Sequence, residues 1–486
     1  LAKTLTARYE AGGLARLSPD DVAHPPVPPN IEHFLAHGLA DGGHWRIPLI
    51  LRLRPDVRAE DITAVLTAVT NQHDALRMRL VHRGGTWEQD LGEPVETVEL
   101  GAEPLPGGLA PGGPEEREAL LQILRAQIRG QDLAGPPVVA THVRGGDGGP
   151  CYLAVSVHGT AADTMSRDIL LTDVFTAFGQ RLAGEEITLG PVTTPWRDWC
   201  QRCAGLAAHP AVLESREYWL ETAAKANLRV AEPATEPPTV DDLVRLPASL
   251  TVAETTEIDD ARRRLGVPLE HVVVAALTRT VAAAVGDGCL ALDLGGPGRS
   301  VLKPDVDLHR TVGSFTTVHP VALPCAQDGG GGVRQLFEDV HDTLKSVPHY
   351  GIGYGLLRYV YARTAGWLAA TPPADIFFSY AGTIPDAPSA AGEAPVQFDS
   401  DTALPVREAY PGLGHAVELR VYRSAGAMHL DWWYDSRRID AARARSLADA
   451  FSATLLDLAR AAVAEDESAS AEEELTLVDL SSSDST

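Results

Sequence analysis

The sequence predicts an α+β fold built from two consecutive halves of about 200 residues each. Segments with helical spacing of apolar residues alternate with short strand-like runs along the whole chain. A Pro/Thr-rich stretch from Ala231 to Val240 interrupts this pattern, which then starts again. The length of 486 residues exceeds one ordinary core, at roughly one domain per 150 residues. These observations divide the chain into a linker (1–29), an N-terminal lobe (30–230), an inter-lobe linker (231–240), a C-terminal lobe (241–465) and an acidic tail (466–486).

Pro25-Pro26-Val27-Pro28-Pro29 disfavours regular structure and closes the leading linker, and a short helix follows from Ile31 to His37. Trp45 to Leu53 alternates as a strand, with Pro48 pointing to an edge or a strand start. Glu60 to His73 carries Ile62, Val65, Leu66 and Val69 at the spacing of a one-sided helix. Ala75 to Val81 reads as a strand, Gly84-Gly85 as a hairpin turn, Gly101 to Pro114 as a loop and Glu115 to Arg129 as a helix. Tyr152 to Val157 is a strand, Ser166 to Phe178 a helix, and Trp196 to Tyr218 an amphipathic run. Beyond the linker come helices Val252 to Leu265 and Leu269 to Val285, strand Cys289 to Leu294 and helix Val333 to Val347. Strand Ile376 to Tyr380, a long loop to about Gly414, strands Ala416 to Val421 and Met428 to Tyr434, and a helix from Ala441 to Ala464 complete the chain. The Ser/Glu-rich tail has too little apolar content to fold alone.

With 66 acidic and 41 basic side chains, the formal charge of −25 opposes binding to nucleic acid or anionic lipid. No run of about 18 apolar residues and no signal-like N-terminus is present, so the expectation is a soluble cytoplasmic protein; the initial Leu1 favours a piece excised from a longer one. Five scattered cysteines argue against a disulfide framework. The pair Cys200 and Cys203 has C-x-x-C spacing but no second pair or His cluster nearby, so both read as structural thiols and no metal site is expected.

The most informative stretch is His158-Gly159-Thr160-Ala161-Ala162-Asp163-Thr164, a strand-to-helix loop of the kind that carries chemistry. Its spacing resembles the H-H-x-x-x-D-G motif of the condensation-domain superfamily of nonribosomal peptide synthetases. Further segments extend the resemblance from about His33 to the tail and make it most similar to epimerization-type domains: His73-Asp74-Ala75-Leu76-Arg77, Arg197-Asp198-Trp199, Leu308 to Thr316 and Gly351 to Tyr359. The resemblance implies two chloramphenicol-acetyltransferase-like lobes in a V-shaped pseudo-dimer. A tunnel between them would admit the phosphopantetheine arm of a carrier protein, with no cofactor bound directly.

The departures from that pattern bear on function. Moving an α-proton needs a base and an acid flanking the carbon, which the family supplies as the second motif His and the Glu of an E-G-H-G-R segment. Here those positions hold Gly159 and Gly295, the latter within Gly295-Gly296-Pro297-Gly298-Arg299, and glycine has no titratable side chain. Thr164 and Arg167 replace the Gly and Trp that usually follow the motif Asp, which alters the tunnel floor. His158 aligns with the mainly structural first His and is the one remaining catalytic candidate in the motif. Asp163 aligns with the motif Asp, expected to pair with Arg77 or Arg79. Thr160, Thr164, Ser314 and Tyr354 are expected along the tunnel or its loops. His309, His319 and His349 read as satisfied polar residues, and the glycines of Gly351-Ile352-Gly353-Tyr354-Gly355 as a family loop, not a nucleotide site.

The resulting expectation is a degenerate epimerization-like domain that does not epimerize. It would act as a platform for a peptidyl carrier protein or for a trans-acting tailoring enzyme such as an oxygenase. The alternative is an active carrier-protein-dependent enzyme of the same fold that performs condensation, cyclisation or another acyl-thioester reaction.

Overall fold

Eight consecutive buried residues, Cys151–His158, form β6 at the centre of the first sheet, as the apolar run predicts for a strand covered on both faces. This computed structural model describes residues 24–146, 149–296, 298–299, 306–327, 332–384, 394–398, 406–407 and 409–482; most of the expected leading linker lies outside them. The first half contributes α1 (Pro29–His37), β1 (Arg46–Leu53), α2 (Ala59–Gln72), β2 (Met78–Arg83), β3 (Thr86–Leu91), β4 (Leu100–Pro104), α3 (Pro114–Ile128), β5 (Val138–Arg144), β6, α4 (Thr164–Leu182), α5 (Trp196–Leu206) and α6 (Arg216–Lys225). The second contributes β7 (Leu243–Leu246), α7 (Val252–Leu265), α8 (Leu269–Val285), β8 (Gly288–Gly296), β9 (Thr317–Cys325), α9 (Gly332–Lys345), β10 (Ile376–Thr383), β11 (Val396–Phe398), β12 (Val417–Ser424), β13 (Ala427–Asp435) and α10 (Ala441–Ser482).

Two sheets organise the α+β fold, in the orders β11-β1-β6-β5-β4 and β7-β13-β12-β10-β8-β9, and β2-β3 forms a separate hairpin. That hairpin turns at Gly84 and Gly85, both at positive φ, as the Gly-Gly signal requires. The halves are not independent: β11, from the second half, pairs with Leu51 to Leu53 of β1. The first core also takes in Leu308, Val312, Phe315, Ile352, Leu356 and Leu357. A second core surrounds α8, whose Val272 to Leu277 are all buried. No single described helix is long and apolar enough to cross a membrane.

Several expectations about local structure need correction. The strand expected from Ala75 begins at Met78, because Asp74–Arg77 is a 3₁₀ turn. Its flanking residues are held: Asp74 accepts from the backbone N–H groups of Trp196 and Arg197, and His73 Nε2 lies 2.7 Å from Asp173. The Gly/Pro stretch after Gly101 opens with β4, which pairs in parallel with β5, and β11 lies within the expected long loop to Gly414. β9 contains Pro320 and Pro324, and it is tolerated because it is an edge strand. Among the described residues Pro48 obeys the same rule, since there β11 covers β1 only at Leu51 to Leu53 and Pro48 pairs with β6. Finally, α10 continues past Ala464 to Ser482. There Glu465 accepts from the N–H groups of Val333 and Arg334, capping α9, and Asp466 accepts from Arg334.

A buried polar seam joins α1 to the second half. The His33 and His415 rings stack at 5.8 Å, His33 Nδ1 lies 3.0 Å from the Tyr359 hydroxyl, and His415 Nε2 lies 2.8 Å from Asp293. Arg358 donates to the Tyr354 hydroxyl at 2.7 Å, and burial pushes that phenol up to about 12. Tyr354 therefore belongs to this seam and does not line the cavity described next.

Candidate functional site at the lobe interface

A cavity of about 1150 Å³ lies between the two sheets, lined by residues of both halves. It exceeds the roughly 300–1,000 Å³ of ordinary small-molecule pockets, so it accommodates an extended ligand. The Arg46 to Leu51 portion of β1 forms part of its wall. Gly159, Asp163, Thr164, Gly295 and Ser314 line it, whereas His158, Thr160, Arg77 and Arg79 do not.

His158 ends β6 and is withdrawn from the cavity. Its Nε2 donates to the Gly42 carbonyl at 2.9 Å, and its Nδ1 accepts from the Thr160 hydroxyl at 2.7 Å, so both nitrogens are engaged. Burial, reinforced by the nearby Arg46 charge, pushes the imidazole down to about 3. Arg46 is itself buried and is held by carbonyls of Gly43, Pro136, Pro137 and Ser156, which ties the loops beneath the motif together. His158 is thus neutral and held on both nitrogens, and Thr160 is one of its partners rather than part of the cavity lining.

The space above Gly159 is filled. A Cβ placed there would lie 2.5 Å from the Trp45 indole, and one on Gly412 would collide with the same ring. The indole is therefore clasped between two glycines, packs on Phe34 at 4.6 Å, and accounts for the glycine in the motif. Gly159→Ala is expected to cost about 1–3 kcal/mol by overpacking. Chemical denaturation would check this, and the cost should shrink in a Trp45→Leu background. Gly295 differs: a Cβ there would meet the edge of the Phe377 ring at 3.3 Å, a tight contact that a small shift of the ring relieves, and the position lines the cavity without an acid or base.

Asp163 does not pair with Arg77 or Arg79. Its Oδ1 accepts from Arg299 Nη2 at 2.9 Å and from Ser166 N at 2.7 Å, capping α4, while Phe315 N reaches Oδ2 at 3.3 Å. Arg299 also donates to the carbonyls of Leu308 and Thr311, and its guanidinium covers the Phe315 ring at 4.2 Å. Arg77 instead donates to the carbonyls of Thr70, Asn71 and Gly92, and Arg79 is exposed. Arg299 of the glycine-rich segment thus fastens the motif loop to the opposite half. Both cysteines of the C-x-x-C pair are buried thiols, and burial raises their pKa values. Among the described residues, no group of three or more His, Cys, Asp or Glu could hold a metal ion.

The two-sheet fold, the cavity between the sheets and the H-G-x-x-x-D loop fit a condensation-type domain. The condensation-domain family model matches residues 33–475, and the chain belongs to that family. It is 51% identical over its whole length to one component of the phenolphthiocerol/phthiocerol polyketide synthase of Mycobacterium tuberculosis, and spans 33% of that protein. It is also 29% identical to one component of the linear gramicidin synthase of Brevibacillus parabrevis, across 74% of this chain and 5% of that one. The chain spans a third or less of these curated relatives. Among solved structures, the epimerization domain from the third module of tyrocidine synthetase B matches with a TM-score of 0.76 at 22% identity, over 91% of this chain and 98% of that one. The X-domain in complex with OxyB from teicoplanin biosynthesis matches with 0.68 at 16% identity, over 92% and 97%. The protein is thus a condensation-like domain of the nonribosomal-peptide and polyketide synthetase type.

Proposed function

We propose that this domain has lost the proton-transfer chemistry of its family and acts as a platform: its cavity receives a carrier-bound acyl chain that another enzyme acts on. The observation that carries this reading is the Trp45 indole seated over Gly159, with His158 fully engaged and Gly295 bare beside an intact cavity. A base cannot be recovered at 159 while Trp45 stays where it is. Likeness over the full chain to part of a polyketide synthase favours an acyl thioester on the phosphopantetheine arm of a carrier protein, and the X-domain bound to OxyB is a precedent for recruitment by this fold. The division into lobes at residues 231–240 belongs to the same proposal.

The test is deuterium incorporation at the α-carbon of a carrier-bound acyl thioester, followed by intact-protein mass spectrometry with and without the domain. Loss of a positioned acid or base typically costs about 10²–10⁴-fold, so exchange is expected at the rate of the free thioester with no change in acyl mass. Accelerated exchange, or a new or released acyl product, would instead make the domain an acyl-thioester enzyme.

A further inference from the structure

Polar groups that a fold buries are nearly always hydrogen-bonded, so an unpartnered one beside a cavity calls for an explanation. His319 is such a group. It lies on β9 opposite Leu294 of β8, is 4% exposed, and lines the cavity. Among the described residues its Nδ1 is buried without a hydrogen-bond partner.

The ring is placed by its neighbours rather than by polar contacts. A Cβ on Gly351 would overlap His319 Nδ1, and one on Gly296 would lie 3.3 Å from its Cε1. Two bare glycine backbones therefore make the slot, and Gly351 supplies its wall at a φ of 80°, which side chains rarely adopt. The buried Trp219 closes the slot edge-on at 6.0 Å. With Nδ1 sealed against Gly351, Nε2 is the nitrogen left to meet the cavity.

The proton belongs on Nε2. A buried N–H without a partner is rarer in native proteins than a bare acceptor, so the tautomer that leaves Nδ1 unprotonated is preferred. Burial also pushes the imidazole down to about 4, which keeps it neutral near pH 7. The cavity thus contains a rigid, uncharged N–H donor set among apolar residues such as Leu294, Val318 and Phe377.

We propose that His319 is a specificity-determining residue that donates a hydrogen bond to an oxygen of the carried acyl thioester, either its thioester carbonyl or an oxygen along the chain. This rests on the reading that the cavity receives an acyl chain. A neutral donor among these apolar side chains favours a neutral acceptor oxygen, because an anion buried there without its own cation is costly, and the cavity's Arg167, Arg299 and Arg420 are already paired with Asp168, Asp163 and Glu418.

The test is calorimetric titration of the full chain with three probes: S-octanoyl pantetheine, S-(β-hydroxyoctanoyl) pantetheine, and the S-octyl pantetheine thioether, which lacks both oxygens. The wild type is expected to bind an oxygen-bearing probe about five- to tenfold more tightly than the thioether. His319→Phe should abolish that preference while leaving thioether affinity unchanged, and His319→Gln, which keeps a donor, should restore part of it. A preference already present for the octanoyl thioester assigns the contact to the thioester carbonyl; one confined to the β-hydroxy probe assigns it to the chain. Equal binding of all three probes by wild type and variants, with folding verified by circular dichroism, overturns the role of His319 alone. Failure of the wild type to bind any probe overturns the acyl-cavity reading, and this inference with it.

Discussion

Replacing Asp163 with Ala is expected to remove about 3–5 kcal/mol of stability, the usual cost of stripping one partner from a buried ion pair. The change would leave the Arg299 guanidinium, its side chain 9% exposed, without its carboxylate 2.9 Å away. It would also remove the cap from the first turn of α4 and the acceptor for Phe315 N. Arg299→Ala should approach the same loss, because it leaves the carboxylate buried and cuts the bonds to the Leu308 and Thr311 carbonyls. The two losses should be strongly non-additive, since both delete one interaction. Arg77→Ala tests the pairing that the family resemblance suggests. It should leave the Asp163 contact intact and show no coupling with Asp163→Ala, because Arg77 is held by the backbone carbonyls of Thr70, Asn71 and Gly92. Urea denaturation of the single and double variants measures all of this. An Asp163→Ala protein as stable as wild type would remove the structural role and make Asp163, which lines the cavity, a functional candidate.

How much of this was legible in the sequence depends on the range of the interaction. Elements with strong local signals were found: the periodic apolar residues of α2 lie on its buried face, and the β6 run is buried throughout. The absence of a titratable group at 159 and 295 was likewise readable, because it needs no geometry. What failed was pairing at a distance. Arg299 reaches Asp163 across 136 positions, while Arg77 and Arg79, nearer in the chain, were the partners that resemblance offered. β11 is three residues long in a stretch that reads as loop, and only its pairing with β1 makes it a strand. Trp45 over Gly159 left no local trace either. The one related signal is a second glycine, Gly412, whose reason becomes visible when the indole is seen between the two. His319 illustrates the opposite error, since a lone histidine reads as a satisfied polar residue and this one has a buried nitrogen with no partner.

Acid is expected to unfold the domain well above the pH at which its carboxylates protonate, because several histidines are buried in neutral form. Burial pushes His33 and His158 down to about 3 and His319 down to about 4, from an ordinary value of 6.5. For each, the unfolded chain takes up a proton below pH 6.5 that the folded chain refuses. Stability is therefore fully present above 6.5 and falls as pH falls, until the folded values are reached at about 4 and 3. Well inside that window each group contributes a slope of about 1.4 kcal/mol per pH unit. Glu32 works in the opposite sense: burial raises its carboxyl to about 7, so the folded state binds that proton first and gains stability between about 7 and 4.5. These three histidines and one glutamate by themselves leave a net slope of about 3 kcal/mol per pH unit near pH 5; His37 and His271, which burial also pushes down to about 4, steepen it, and Glu270, raised by burial, eases it. Set against a total stability of about 5–15 kcal/mol, two units of acidification should remove a large share of it. The check is a series of urea denaturations from pH 7.5 to 4.5, in which the free energy of unfolding should fall steeply below about pH 6. His319→Phe offers an internal control, since His319 has no hydrogen bond to lose at Nδ1 and its removal deletes one proton-refusing group. That variant should show a slope shallower by about 1.4 kcal/mol per pH unit. A stability that stays level between pH 7 and 5 would mean that these imidazoles accept protons without opening the fold, and the buried seam around His33 would have to be redrawn.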